Sequence, residues 1–226
     1  MGLREQRGRA ARRRVGVLGG TFDPVHVGHI ALGRAACVAL SLDELRLVPT
    51  GLSWQKDRVA TAAADRVAML RLAIAGEPGW RVDTREIERD GPSYTIDTLA
   101  SLRDELGPEC AIVMIIGSDQ LRNLATWHRW SELLDYAHIA ATRRERVSLE
   151  DLPAPIEAML AEHGADALPD APAGSIVFFS MPPVPVSSTL LRRQLGAGEA
   201  PAELLPAGVL EHIESRRLYR DVPPVK

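Results

Sequence analysis

Gly19 to His29 reads Gly-Gly-Thr-Phe-Asp-Pro-Val-His-Val-Gly-His, a set of residue types suited to polyphosphate. Glycines let the backbone approach a phosphate closely, and the N–H groups opening a helix at His26 to His29 lack intrahelical partners and suit an anion. His26 and His29 lie three apart, on neighbouring positions of the first turn. The segment follows the apolar run Val15-Gly16-Val17-Leu18, so a buried strand is expected to pass through a glycine turn into a helix.

Competing motifs fail on spelling. A dinucleotide fingerprint needs G-x-G-x-x-G, whereas Gly16 is followed by Val17, Leu18 and Gly19-Gly20. No Lys-Ser or Lys-Thr follows, which excludes a P-loop. The His-x-x-His spacing is short of the i, i+4 zinc pair and Cys37 is isolated, so no protein-held metal is expected. A second anion-binding stretch is Val186-Ser187-Ser188-Thr189-Leu190-Leu191-Arg192. Its hydroxyls at a helix start can hold phosphate oxygens, and Arg192 can fork onto two of them. Taken alone, a serine N-cap beside a surface arginine is the plainer reading.

The elements needed to position these residues alternate strand and helix. Strands are expected at Val15–Leu18, Glu44–Val48, Trp80–Asp83, Ala111–Ile116, Ala137–Ala141 and Ile176–Phe179, with Pro49 stopping the second. Ala111–Ile116 is an unbroken apolar run of the kind buried on both faces of a parallel sheet. Helices are expected at about Val27–Leu40, Asp65–Ala75, Tyr94–Leu106 capped by Ser93, a short one near Ile156–Glu162, and Ala202–Glu214. The alternation implies an α/β fold, a doubly wound parallel sheet with C-terminal helices, whose ligands sit outside the carboxyl ends of the strands. Gly19, Pro49, Gly117 and Arg143 would converge there. The Pro- and Ala-rich stretch from Arg143 to Ser175 reads as an irregular excursion.

With 226 residues, 46% of them hydrophobic, and a net charge of −3, the chain can bury one core. The arginine run from Arg4 to Arg14 is expected as a basic disordered tail, 1–14, ahead of a single domain, 15–226. No apolar stretch approaches the roughly 20 residues that span a bilayer. Mild acidity gives no sign of a nucleic-acid groove. Cys37 and Cys110, the only cysteines, read as buried free thiols, and the composition fits a cytoplasmic enzyme. Homodimer formation stays open.

His26-Val27-Gly28-His29, with its Gly-Gly-Thr-Phe-Asp-Pro lead-in, resembles the H-x-G-H signature of the nucleotidyltransferase superfamily. Its members join ATP or CTP to a phosphate-bearing acceptor and expel pyrophosphate. Val186 to Arg192 is similar to that superfamily's I-S-S-T-x-[IL]-R. Three further stretches, Pro92-Ser93-Tyr94-Thr95 with Thr98-Leu99, Gly117-Ser118-Asp119, and Thr126-Trp127, resemble those of the nicotinate-nucleotide adenylyltransferases. The likeness runs in order from about Val15 to Tyr219, closing on Leu218-Tyr219-Arg220.

The resemblance implies a Rossmann-like nucleotidyltransferase fold and transfer of AMP from ATP, carried with Mg²⁺, to nicotinate mononucleotide. It implies ATP contacts at Gly19, Gly20, Thr21, Phe22, His26, His29, Gly117, Asp119, Ser187, Ser188, Thr189 and Arg192. Acceptor contacts would come from Lys56, Ser93, Tyr94, Thr95, Trp127 and Arg144, with Arg143 an equally spaced neighbour of the last. Trp127 would stack on the nicotinate ring, with Trp130 left to core packing. His26, His29, Lys56 and Arg192 would act on the phosphates in catalysis. Departures are Ser53-Trp54-Gln55, where the family has Pro-Pro-His, and His128, where it often has tyrosine. Two alternatives stand beside this reading: another adenylyl- or cytidylyltransferase, such as one using nicotinamide mononucleotide, and a non-catalytic nucleotide sensor.

Overall fold

A computed structural model of the chain describes residues 12–51, 61–143 and 152–220. Six strands form one sheet: β1 (Arg14–Gly20), β2 (Glu44–Pro49), β3 (Trp80–Val82), β4 (Ala111–Gly117), β5 (His138–Arg143) and β6 (Ile176–Ser180). All pair in parallel, in the order β3-β2-β1-β4-β5-β6. Parallel neighbours need crossovers, and helices supply them: α1 (Val27–Leu40), α2 (Ala63–Ala73), α3 (Arg85–Glu88), α4 (Thr95–Leu106), α5 (Ser118–Arg122), α6 (Leu133–Tyr136) and α7 (Ala154–His163). Two more, α8 (Ser188–Gly196) and α9 (Ala207–Arg216), follow the last strand.

Because both faces of the sheet are covered, alternate residues of one strand enter different cores. Leu18, Leu47, Val113 and Ile115 join Ile30 and Leu40 of α1, Leu70 of α2, Leu191 of α8 and Ile213 of α9. Val17, Val48, Met114 and Ile116 join Ile96 and Leu99 of α4, Leu133 of α6 and Ile156 of α7. The expected doubly wound sheet is therefore present. Strand order reverses between β1 and β4, which places the crevice for a ligand at their carboxyl ends. No helix among the described residues is long and apolar enough to cross a membrane.

Several expectations need adjustment. The last three arginines of the run are held by the fold: Arg14 opens β1, Arg12 pairs with Glu109 at 2.9 Å and Asp170 at 3.3 Å, and Arg13 with Glu44 at 2.6 Å. These counter-charges lie 31 or more residues away, so the run looked like a solvated block. Ser93 is not the cap of α4; Tyr94 occupies that position, and Ser93 is turned inward with its hydroxyl donating to the Glu86 carbonyl at 3.4 Å. The final helix starts at Ala207, since Pro206 takes its N-cap and Leu204 and Leu205 fall in the preceding turn. Cys110 is buried, but Cys37 is only half-buried; both are free thiols. The excursion after Arg143 returns to the sheet through α7 and the Ala165 N–H, which donates to the Ile176 carbonyl at 2.8 Å.

Candidate active site

β1 delivers Gly19 and Gly20 to the carboxyl edge of the sheet, and the chain turns through Thr21 to Val25 into α1. Phe22 takes a left-handed φ of 50° and is 1% exposed. Its ring meets His29 edge-on, with centroids 5.0 Å apart. His29 in turn stacks on His26 at 3.8 Å and 26°. The His29 Nδ1 accepts the His26 backbone N–H at 3.2 Å, so in the neutral ring the proton sits on Nε2.

Three of the four helix-start amides that the sequence suggests for an anion are already engaged within the protein. The His26 N–H goes to His29 Nδ1, the Val27 N–H to the Leu204 carbonyl at 3.1 Å, and the His29 N–H to the His26 carbonyl at 2.9 Å. The imidazole rings beside them carry further donors. His26 is buried, and desolvation pulls its pKa from 6.5 down to about 4, so the ring is neutral at physiological pH. Its Nδ1 is buried without a protein partner. Gly28 is required sterically: a Cβ there would lie 2.8 Å from Val186 Cγ1 and 3.0 Å from His26 Nδ1.

The loop before α1 is fastened from remote points of the chain. Arg66 of α2 donates to the Thr21 carbonyl at 2.9 Å. Arg192 and Ser188 of α8 donate to the carbonyls of Asp23 at 2.6 Å and Pro24 at 3.1 Å. The Asp23 carboxylate, 2% exposed, accepts from the Tyr219 hydroxyl at 2.7 Å and the Thr61 hydroxyl at 2.5 Å. Ser187 caps α8, its hydroxyl accepting the Leu190 N–H at 3.2 Å, and the Arg192 guanidinium also reaches the Thr189 hydroxyl at 3.4 Å. Ser188 and Arg192 thus brace the loop before α1, a role that their types alone did not announce. Asp23, Thr61, Arg66 and Tyr219 were missed by sequence reasoning, although the Asp of the Gly-Gly-Thr-Phe-Asp-Pro run could have prompted a search for its partner.

A cavity of about 170 Å³ opens beside that loop, at the carboxyl ends of β1, β2 and β4. Gly19, Gly20 and Thr21 form one wall; Ser93, Tyr94, Thr95 and Trp127 form another. The expected acceptor residues from two distant segments are thereby brought together. Trp127 follows a short 3₁₀ turn, Leu124–Thr126, ahead of α6, and packs half-buried against the core, as does Trp130. His128 also lines the cavity, its ring tilted on Tyr94 at 4.3 Å. Thr50, Glu86, Thr98 and Gln120 add to the polar lining; of these only Thr98 was singled out in the sequence.

Gly117 ends β4 against Gln120, whose side-chain oxygen accepts the Gly117 N–H at 2.9 Å. A Cβ on Gly117 would stand 2.5 Å from Asp119 Oδ1, so glycine is what admits that carboxylate over the turn. Asp119 is exposed at the rim. Lys56 and Arg144, with the altered Ser53-Trp54-Gln55 stretch, lie outside the described residues. Among the described residues no three His, Cys, Asp or Glu side chains gather as a metal cage.

Comparison with known proteins agrees with this geometry. The family model described as Cytidylyltransferase-like matches residues 17–194. A probable nicotinate-nucleotide adenylyltransferase of Laribacter hongkongensis is 44% identical over 212 residues, covering 93% of this chain and 96% of that protein. One from Pseudomonas putida strain W619 is 43% identical over 213 residues, with coverages of 93% and 96%. Among solved structures, Plasmodium falciparum nicotinic acid mononucleotide adenylyltransferase complexed with NaAD superposes with a TM-score of 0.71 at 16% identity, covering 94% of this chain and all of that one. At that identity the likeness speaks for the fold.

Proposed function

This chain belongs to the cytidylyltransferase-like family, among its nicotinate-nucleotide adenylyltransferases, and from that premise we propose that it acts as follows. It transfers AMP from ATP to nicotinate mononucleotide, giving nicotinic acid adenine dinucleotide and pyrophosphate in NAD biosynthesis. The observation that carries the reading is the junction of two half-sites on one loop. Gly19 to Thr21 wall the cavity that holds Tyr94, Thr95 and Trp127, and the same loop continues through Phe22 to the His26–His29 stack.

The acceptor's phosphate oxygen attacks the α-phosphorus of ATP in line, and pyrophosphate leaves from the opposite side. A phosphate dianion is already a nucleophile, so no general base and no covalent enzyme intermediate is needed. The protein's work is alignment and the countering of charge on the phosphoryl oxygens. Neutral His26 and the Nε2-protonated His29 donate to those oxygens, and Lys56 neutralises charge alongside them. Arg192 contributes through the loop it braces and through its field at the phosphates. Mg²⁺ enters with the substrate as MgATP. Ser93, Tyr94, Thr95 and Trp127 hold the pyridine ring, and Arg144 the acceptor phosphate.

The test is product identification. With MgATP and nicotinate mononucleotide the protein is expected to form the dinucleotide and pyrophosphate in equal amounts. ADP, or AMP without a dinucleotide, would contradict adenylyl transfer.

A further inference from the structure

Apart from the ring of His128, the ionisable side chains of the described cavity wall reduce to Tyr94 and one carboxyl group, Glu86; no lysine or arginine among the described residues lines it. Glu86 is 8% exposed. Its Oε1 accepts the Thr98 hydroxyl at 2.8 Å from α4, and the same cavity carries the aromatic faces of Tyr94 and Trp127. A pocket built to hold an anion alone would be expected to present cations or a row of amides. An acidic group set among aromatic faces instead suits a flat, positively charged ring.

Nicotinate mononucleotide has such a ring. Its nitrogen is bonded to ribose and carries a permanent positive charge, while the carboxylate sits elsewhere on the ring. Resting on the acceptor assigned above, we propose that Glu86 is a specificity-determining residue that recognises the pyridinium charge of the mononucleotide, with Thr98 holding its carboxylate in place. The ring carboxylate is left to other groups of the same cavity wall, so the two charges of the zwitterion are read by different groups. Burial pushes the Glu86 carboxyl above its usual range, and a bound cation favours its ionised form. The charged groups around it are Asp83, Arg85 and Arg89 on its own stretch, with the His128 ring across the cavity; Thr98 is its contact from α4 and also accepts from Arg89 at 3.4 Å.

The experiment compares wild type, Glu86→Gln and Thr98→Val for KM of nicotinate mononucleotide, KM of ATP, kcat and Tm over a range from mildly acidic to mildly alkaline pH. Glu86→Gln is expected to raise the acceptor KM by at least about tenfold at alkaline pH, the scale of losing one partner of a buried charge pair. ATP KM and kcat should stay near wild type. The ratio of variant to wild-type acceptor KM should shrink toward one as pH falls and Glu86 protonates, because titration of the substrate itself cancels in that ratio. Equal acceptor KM values at alkaline pH, or a ratio independent of pH, would overturn the proposal. So would a purely structural pattern, in which Glu86→Gln and Thr98→Val lower Tm together and shift all kinetic constants alike.

A second measurement needs no variant: wild type should bind nicotinate mononucleotide at least about tenfold tighter than its 1,4-dihydro form, which lacks the ring charge, and parity would overturn the assignment. A wild type that turns over nicotinate mononucleotide while these arms fail removes Glu86 alone. A wild type that releases no pyrophosphate with it removes the functional reading as well.

Discussion

The proposed phosphate chemistry rests on two imidazoles whose states are set by their surroundings. His29 is oriented by the His26 N–H on its Nδ1, by Phe22 against its edge and by its stack on His26, and its replacement removes the proposed donor to phosphate along with these contacts. His29→Ala is expected to lower kcat by on the order of 10²–10³, as loss of one donor to a developing phosphoryl charge does, with a small change in Tm. Steady-state kinetics beside a melting curve checks this; near-full activity would take His29 out of the mechanism. Gly28→Ala should be worse for folding than its size suggests, because its methyl would press on Val186 and the buried His26 ring. The H-x-G-H spelling made both histidines legible from sequence. It could not show that the neighbouring amides are already used, since one of their acceptors, the Leu204 carbonyl, comes from the far end of the chain.

At the scale of elements, strongly periodic segments were readable. β4 is an uninterrupted apolar run and is buried throughout, and α1 spans the expected Val27–Leu40. Boundaries set by tertiary partners were not: Ser93 is turned away from capping by Glu86, and Pro206 moves the start of α9. Least legible was the fastening of the loop before α1, because Asp23 and Tyr219 are 196 residues apart. Tyr219→Phe tests that clasp. Removing the hydroxyl leaves the buried Asp23 carboxylate one donor short, a loss of about 1–3 kcal/mol. Denaturant unfolding should show it, and ATP KM should rise more than acceptor KM, since the clasp holds the histidine side of the site. Unchanged stability would mean that Thr61 and solvent satisfy Asp23 without Tyr219.

The whole molecule should be acid-sensitive in a defined window. His26 and His138 are both buried with pKa values pulled down by desolvation. Both nitrogens of His138 are engaged, Nε2 with the Ala171 carbonyl at 2.8 Å and Nδ1 with the Ser175 N–H at 3.2 Å. The unfolded chain takes up protons at these sites near 6.5, whereas folded His26 resists until about 4. Stability is therefore full above that upper value and is lost as pH falls toward the lower one. The loss continues further down, because Arg46 and its hydrogen bond hold Glu105 at about 2, and Asp83 is held low by Arg85 and Arg46 against the opposing effect of burial. A Tm that does not change between those pH limits would contradict neutral burial of both histidines. The sheet class was legible in the strand–helix alternation, but the pairing of Arg12 and Arg13 was not, because their partners lie in remote segments.

One measurement bears most directly on the account: pyrophosphate release from MgATP with nicotinate mononucleotide or nicotinamide mononucleotide as the sole acceptor, in wild type and in His29→Ala. The account predicts rapid release with nicotinate mononucleotide, much slower release with the amide, and loss of both in the variant. Release that is independent of acceptor, or that survives in His29→Ala, would contradict it.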